Sequence, residues 1–345
     1  MVFSSLRSFS IWWLGWVISN RLCKSEGGSK DDITSLLESW RLTPSQRTEI
    51  FSSLVLPTQL APFLSSTTST TSSSHHPPLA IIILGQTGAG KTSLAPLLLP
   101  HFSSSSPPLH FIADTYKTFH PKFHSCPPRY ASQLASADAR YWLKLACVTA
   151  AQHRKDVLVE SACRHPDDFV SLVQIFKGVG YIVKVVVLAV NEGVSRLGCL
   201  VRFYKKLPEA GGKWGLGVRK TPKKVHDESC EGAKDGVRFV EGEGEGEGNV
   251  DGVVVVRRGG MVAYEGRGGK GGIGEVLERE RRRGLSREEW KGVEEGLELL
   301  KAVGEEEREE VERVVRGLGI VEDMEGLREW DVEGFVRGRG LVSLM

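Results

Sequence analysis

A chain of 345 residues with 40% hydrophobic content is long enough for one large domain or two ordinary ones, and apolar enough to fill a core. Its 45 Lys and Arg against 43 Asp and Glu give no electrostatic case for a nucleic-acid-binding protein, although the balance hides charge blocks in the last third. Six cysteines (Cys23, Cys126, Cys147, Cys163, Cys199, Cys230) lie far apart with no C-x-x-C pair, which argues against a disulfide framework and for a reducing, cytoplasmic setting.

The first segment, 9–18, reads FSIWWLGWVI between Arg7 and the cations Arg21 and Lys24. Its roughly ten apolar residues are too few to span a bilayer, and no A-x-A-like site follows to make it a cleaved leader. We expect its tryptophans to pack on the folded protein or to make weak peripheral membrane contact. From Asp31 to Phe63 the text is helical: Ile33, Leu36, Leu37 and Trp40 recur at helical spacing, and a second helix starts after Pro44 with Thr43 as N-cap. Residues 1–64 are thus read as an apolar segment and a helical preface. Residues 65–78 (SSTTSTTSSSHHPP) have nothing to bury and read as a disordered linker, with His75 and His76 solvated.

At Leu79 the character changes. The apolar run Ala80 to Leu84 stops at Gly85, and residues 85–92 (Gly85, Gln86, Thr87, Gly88, Ala89, Gly90, Lys91, Thr92) fit G-x-x-x-x-G-K-[ST], with helical text from Ser93 to Leu99 after them. Glycines let the backbone curl so that its N–H groups face a phosphate chain. A lysine at this position reaches the β/γ-phosphates and a threonine hydroxyl can ligate Mg²⁺. The competing reading, a glycine turn that binds nothing, does not account for the strand before it and the helix after it.

Further apolar runs, Leu109 to Ala113, Val157 to Glu160 and Tyr181 to Val190, alternate with helical text such as Ala135 to His153. That pattern predicts an α/β fold with a doubly wound, mostly parallel sheet of P-loop type and ligands at the carboxyl ends of the strands. Two carboxylates fall at such ends. Asp114 is read first as a general base, then as a Walker-B-like Mg²⁺ ligand, then as a helix N-cap; Glu160 presents the same choice or holds a substrate hydroxyl. His120, His124 and Cys126 lack a second ligand pair at zinc-site spacing, so no zinc is expected. Arg202, in helical SRLGCLVRFYKK, and Arg219, in VRKTPKK, are surface arginines on spacing alone and phosphate clamps if they face the site.

Beyond about Asp227 the composition turns to Gly, Glu and Arg. EGEGEGEG (241–248) reads as a flexible loop, and Val253 to Val256 and Met261 to Tyr264 as a hairpin around Arg257 to Gly260. Four charged helical segments follow: Glu275 to Arg283, Arg287 to Val303, Glu305 to Arg316 and Asp323 to Arg337. Their alternating charges are most simply a solvated face. The organisation expected is a P-loop domain over 79–268 and a charged helical C-terminal region over 269–345.

Taken in order, GQTGAGKTSL, ADTYKTFHPKF, LVESACR, LVRFYKK and VRKTPKKVHD resemble the zeta-toxin family of P-loop kinases, from about Leu79 to Asp227, with a weaker echo in the hairpin. The resemblance implies that Lys91 and Thr92 bind ATP and Mg²⁺ and that Asp114 activates a sugar hydroxyl. It further implies that Glu160 and Arg164 hold the acceptor and that Arg202 and Arg219 clamp the phosphates. The family's acceptor is UDP-N-acetylglucosamine, phosphorylated on the 3′-hydroxyl of the amino sugar. This chain has Ala162 where E-G-T-x-R members have a hydroxyl that would contact substrate, and its linker, Glu/Gly loop and charged C-terminus have no counterpart in a compact toxin. Neither toxicity nor an antitoxin partner is implied.

The expected activity is therefore transfer of the γ-phosphate of ATP to a hydroxyl of a small acceptor such as a UDP-sugar. Two other classes stay open: a nucleotide-binding regulatory module with vestigial kinase chemistry, and a polynucleotide 5′-hydroxyl kinase. The second needs a basic, aromatic-bearing groove, for which Lys205, Lys206, Lys220, Lys223 and Lys224 offer charge but little aromatic interleaving, so no nucleic-acid partner is expected.

Overall fold

The computed structural model describes residues 38–64, 77–102, 107–125, 133–207, 220–242, 249–269, 271–322 and 324–338. The tryptophan-rich segment, Ile33, Leu36, Leu37, His75, His76, Cys23, Cys126, Arg219 and the core of the Glu/Gly loop lie outside them.

Helix α1 (Pro44–Ile50) starts where Thr43 and Gln46 form a reciprocal capping box. It continues into widened π-type turns over Phe51–Leu60, which accommodate Pro57, and ends as α2 (Ala61–Leu64). Then come β1 (Leu79–Leu84), α3 (Lys91–Leu98), β2 (Leu109–Ile112), the single turn α4 (Ala113–Tyr116) and α5 (Ser136–Gln152). They are followed by β3 (Val157–Ser161), α6 (Pro166–Lys177), β4 (Ile182–Leu188), α7 (Glu192–Lys206) and α8 (Lys223–Glu241). The hairpin β5 (Gly252–Val256) and β6 (Val262–Gly266) precedes α9 (Ile273–Arg282), α10 (Arg287–Ala302), α11 (Arg308–Arg316) and α12 (Val332–Arg337).

The six strands form one sheet in the order β2-β3-β1-β4-β5-β6. The first five run parallel, and β6 returns antiparallel to β5 through the glycine turn. Parallel strands covered on both faces read as continuous apolar runs, and β1 behaves so: Ala80, Ile82 and Leu84 enter one core cluster, Ile81 and Ile83 the other. The first cluster holds α5, α6, α8 and α9 together with Phe51, Val55 and Leu60 of the preface. The second holds α3, α7 and the C-terminal helices, through Val293, Leu297, Leu300, Val311, Val315, Phe335 and Val336. The doubly wound α/β expectation stands, and the charged C-terminal segments do more than present a solvated face: each buries an apolar stripe in one of the two core clusters, α9 beside the sheet and α10 and α11 on α7.

Three local expectations need correction. Helix α8 falls in text read only as a shift to Gly, Glu and Arg. The segment from Asp323 is helical only over Val332–Arg337, because Gly326 turns the chain at φ +77° and Arg328 pairs with Val262 at the sheet edge. Helix α11 begins at Arg308, since Gly304 at φ +67° ends the preceding turn. The preface is tied to the sheet domain by Trp40, stacked on His120 with ring centroids 5.0 Å apart, and by Arg47, paired with buried Asp138. Among the described residues no helix is long and apolar enough to cross a membrane.

Candidate active site

The loop between β1 and α3 is shaped by what surrounds its glycines. Gly88 sits at φ +83°, and a Cβ there would lie 2.1 Å from the Ser195 carbonyl oxygen and 2.7 Å from Cys199 Sγ, so α7 presses directly on the loop. Gly90, at φ +101°, is the N-cap of α3 and turns the chain into the helix without a side-chain cap. Gln86 is fully buried: its amide nitrogen donates to the Val190 carbonyl (2.5 Å) and Ser195 Oγ (3.3 Å), while its oxygen accepts from Arg281 Nη2 of α9 (3.0 Å). The Thr87 N–H donates to Ser229 Oγ of α8 (3.0 Å). Gln86 therefore braces the loop rather than facing the cleft, and Ala89 is buried beneath it.

Lys91 Nζ donates to the carbonyls of Gly85 (2.6 Å) and Gln86 (3.0 Å). Burial pushes this ammonium down to about 8; Glu160 and Asp114 oppose that shift and Arg202 adds to it. Thr92 Oγ1 donates to Glu160 Oε2 (2.8 Å), and Glu160 Oε1 lies 3.0 Å from His110 Nε2 of β2. Glu160 pairs in register with Ile83 of β1 and Ile112 of β2, which puts its carboxylate at the carboxyl edge between the loop and Asp114. Asp114 stands in the first turn of α4, two residues beyond β2, with Lys117 Nζ 2.8 Å from its carboxylate.

These groups line a single cleft of about 700 Å³. It runs from Asp114, Lys117, Arg140 and Lys144 on one side of the loop to Arg202, Lys220 and Arg258 on the other, and its wall carries nine Lys and Arg against three Asp and Glu. That excess suits a polyanion. Arg164 also faces the cleft, held by Glu228 Oε2 (2.6 Å), and Ala162 lies on the same wall. Cys163, between them, adopts φ +49°; burial pushes its thiol up to about 12.

Of the residues expected in the site, Gly88, Gly90, Lys91, Thr92, Thr87, Asp114, Glu160, Arg164 and Arg202 come together here. Gly85, Gln86 and Ala89 support the loop from behind, and Arg219 lies outside the described residues, although its neighbours Lys220 and Thr221 line the cleft. Sequence reasoning missed three groups. Arg258, in the hairpin turn, donates from Nη2 to the Gly88 carbonyl at 2.6 Å, having been read only as turn text. Arg140 of α5, paired with Asp168 at 2.9 Å, carried no motif. His110 alternates inside a strand and signalled nothing but its pairing position. Among the described residues no group of three His, Cys, Asp or Glu is placed to hold a metal ion, and His120 instead stacks on Trp40.

Comparison with known proteins agrees with this picture. A family model described as zeta toxin matches residues 64–268. The fold is similar to that solved for the PezAT chromosomal toxin-antitoxin system of the human pathogen Streptococcus pneumoniae, at 18% identity and TM-score 0.58, covering 77% of this chain and 100% of that one. The AvrRxo1-ORF1:AvrRxo1-ORF2 complex solved with ATP is similar at 14% identity and TM-score 0.45, with 84% of this chain and 91% of that one covered. No curated protein matches the chain.

Proposed function

Because the chain belongs to the zeta toxin family, whose members are ATP-dependent P-loop kinases, we propose that it transfers the γ-phosphate of ATP to a hydroxyl of a UDP-sugar such as UDP-N-acetylglucosamine. The catalytic unit is 79–268, covered by the helices on either side of it in sequence. The observation that carries the reading is the meeting of Lys91, Thr92, Asp114, Glu160 and Arg202 in one cleft.

In this reading Lys91 and the amides around Gly88 and Gly90 bind the β/γ-phosphates, and Arg202 with Arg219 neutralises charge on the group in transit. Asp114 takes the proton of the acceptor hydroxyl as its oxygen bonds to the γ-phosphorus and the bond to the β-phosphate oxygen breaks, releasing ADP. Glu160 and Arg164 orient the acceptor. Mg²⁺ suits the Thr92 hydroxyl and the Glu160 carboxylate 2.8 Å away, which are the hard oxygen donors it takes, and when bound it would draw charge from phosphate oxygens.

The test is incubation of the purified chain with γ-labelled ATP and a panel of sugar nucleotides, followed by identification of any labelled product. Label on a UDP-sugar is the expected result. Label reaching only a polynucleotide, or nucleotide binding with no transfer at all, would reject this acceptor class.

A further inference from the structure

The C-terminal helices lie beyond the 64–268 match to the family model, yet two of their carboxylates reach the cleft wall. Gly304 turns the chain after α10 and sends Glu305 inward, where its side chain is 2% exposed. Lys220 Nζ donates to both Glu305 oxygens at 3.0 Å, and the Tyr204 hydroxyl of α7 donates to the same carboxylate. Burial alone would raise the Glu305 carboxyl, but these two donors hold it below the usual range. Glu307 accepts a fork from Arg196 of α7, Nε to Oε2 at 2.7 Å and Nη2 to Oε1 at 2.6 Å. The remaining nitrogen of that guanidinium, Nη1, donates to the Thr221 carbonyl at 2.7 Å.

Lys220 and Thr221 line the cleft, and α7 carries Arg202, which lines it too. We propose that Glu305 and Glu307 are positioning residues that fasten the Lys220–Thr221 wall to the helix bearing Arg202, so that the C-terminal region sets the geometry of the phosphate clamp. The catalytic part of the proposal rests on the kinase reading above. Fold stability alone does not require this arrangement: the apolar stripes of α10 and α11 already anchor those helices. A buried bidentate carboxylate costs more to desolvate than a packed hydrophobic group in its place.

Glu305→Gln and Glu307→Gln in the full chain test it, read by kinetics with ATP and UDP-N-acetylglucosamine and by hydrogen exchange of amides 226–230, the first hydrogen-bonded amides of α8. Each variant is expected to lose about 10- to 100-fold in kcat while the KM for ATP stays within about threefold, the signature of misplacement rather than lost binding. Exchange at 226–230 is expected to quicken while exchange in β1 and β4 holds, which also establishes that the variant is folded. Lys220→Met, at a half-exposed position, removes one link from the other side; combined with Glu305→Gln it is expected to cost no more than the worse single change. A kcat within about twofold of the parent in both carboxylate variants overturns the proposal. Should the parent chain transfer no phosphate, the kinase reading falls. The exchange result then decides the clamp by itself: unchanged protection at 226–230 overturns it and faster exchange supports it.

Discussion

The lysine of the loop carries a sign that can be measured. With its pKa pushed down to about 8, Lys91 is charged below that pH and loses its charge as pH rises through it, whereas in the unfolded chain it titrates near its ordinary 10.5. ATP affinity is expected to fall between pH 7 and pH 9.5, read by calorimetric titration; a flat profile would show that Lys91 keeps its proton throughout. Stability moves the other way. Between about 8 and 10.5 the unfolded chain binds the extra proton, so this group's contribution to folding improves as pH rises across that window. Asp114→Asn is expected to retain ATP binding and lose about 10²- to 10⁴-fold in transfer, and a rate within about threefold of the parent would remove Asp114 from the role of base. Gly88→Ala would set a methyl group against the Ser195 carbonyl at a φ that costs a side chain about 1–3 kcal/mol. The expected result is a lower melting temperature together with lost nucleotide binding.

At the scale of elements, the turn of the β5–β6 hairpin reaches across to the loop through Arg258. Arg258→Ala is expected to weaken ATP binding about tenfold, the value of one hydrogen bond from a charged donor, while leaving the fold intact. Which elements could be read in advance follows from what each is made of. The strands and the glycine loop were legible because a two-sided buried strand leaves an unbroken apolar run and the loop needs glycine at fixed offsets. Helix α8 was not, because it carries Gly232 and Gly236, residues that ordinarily weaken a helix. The structure supplies the reason for them: a Cβ at Gly232 would stand 1.8 Å from the Cys163 carbonyl oxygen, so the helix packs against the chain after β3 through bare backbone. Asp114 and Glu160 were found because they end apolar runs. Arg258 and Arg140 were not, since their partners, Gly88 170 positions away and Asp168 on the next helix, are tertiary neighbours, and no local pattern encodes that.

For the whole molecule, the segments flanking the sheet domain are parts of its core. Helices α10 to α12 share one core cluster with Ile81, Ile83, Val254 and Val256, alongside α3 and α7, so a chain cut at residue 268 would lose their part of that cover and leave its apolar remainder exposed. Such a truncation is expected to be insoluble or to lose its cooperative thermal transition, despite retaining every residue of the family match; a sharp transition near that of the parent would show the cover to be dispensable. The preface and helices α10 to α12 lie on opposite faces of the sheet, in separate clusters. The sheet and the helices packed on it, α5 on one side and α7 on the other, therefore stand between Phe51 and Leu297. The two covers then behave as independent variables: truncating Phe51 and Leu297 together should change the unfolding free energy by the sum of the separate changes, to within about 0.5 kcal/mol. A change on one side can accumulate without being felt on the other, which leaves each flank free to be rebuilt while the sheet between them stays as it is.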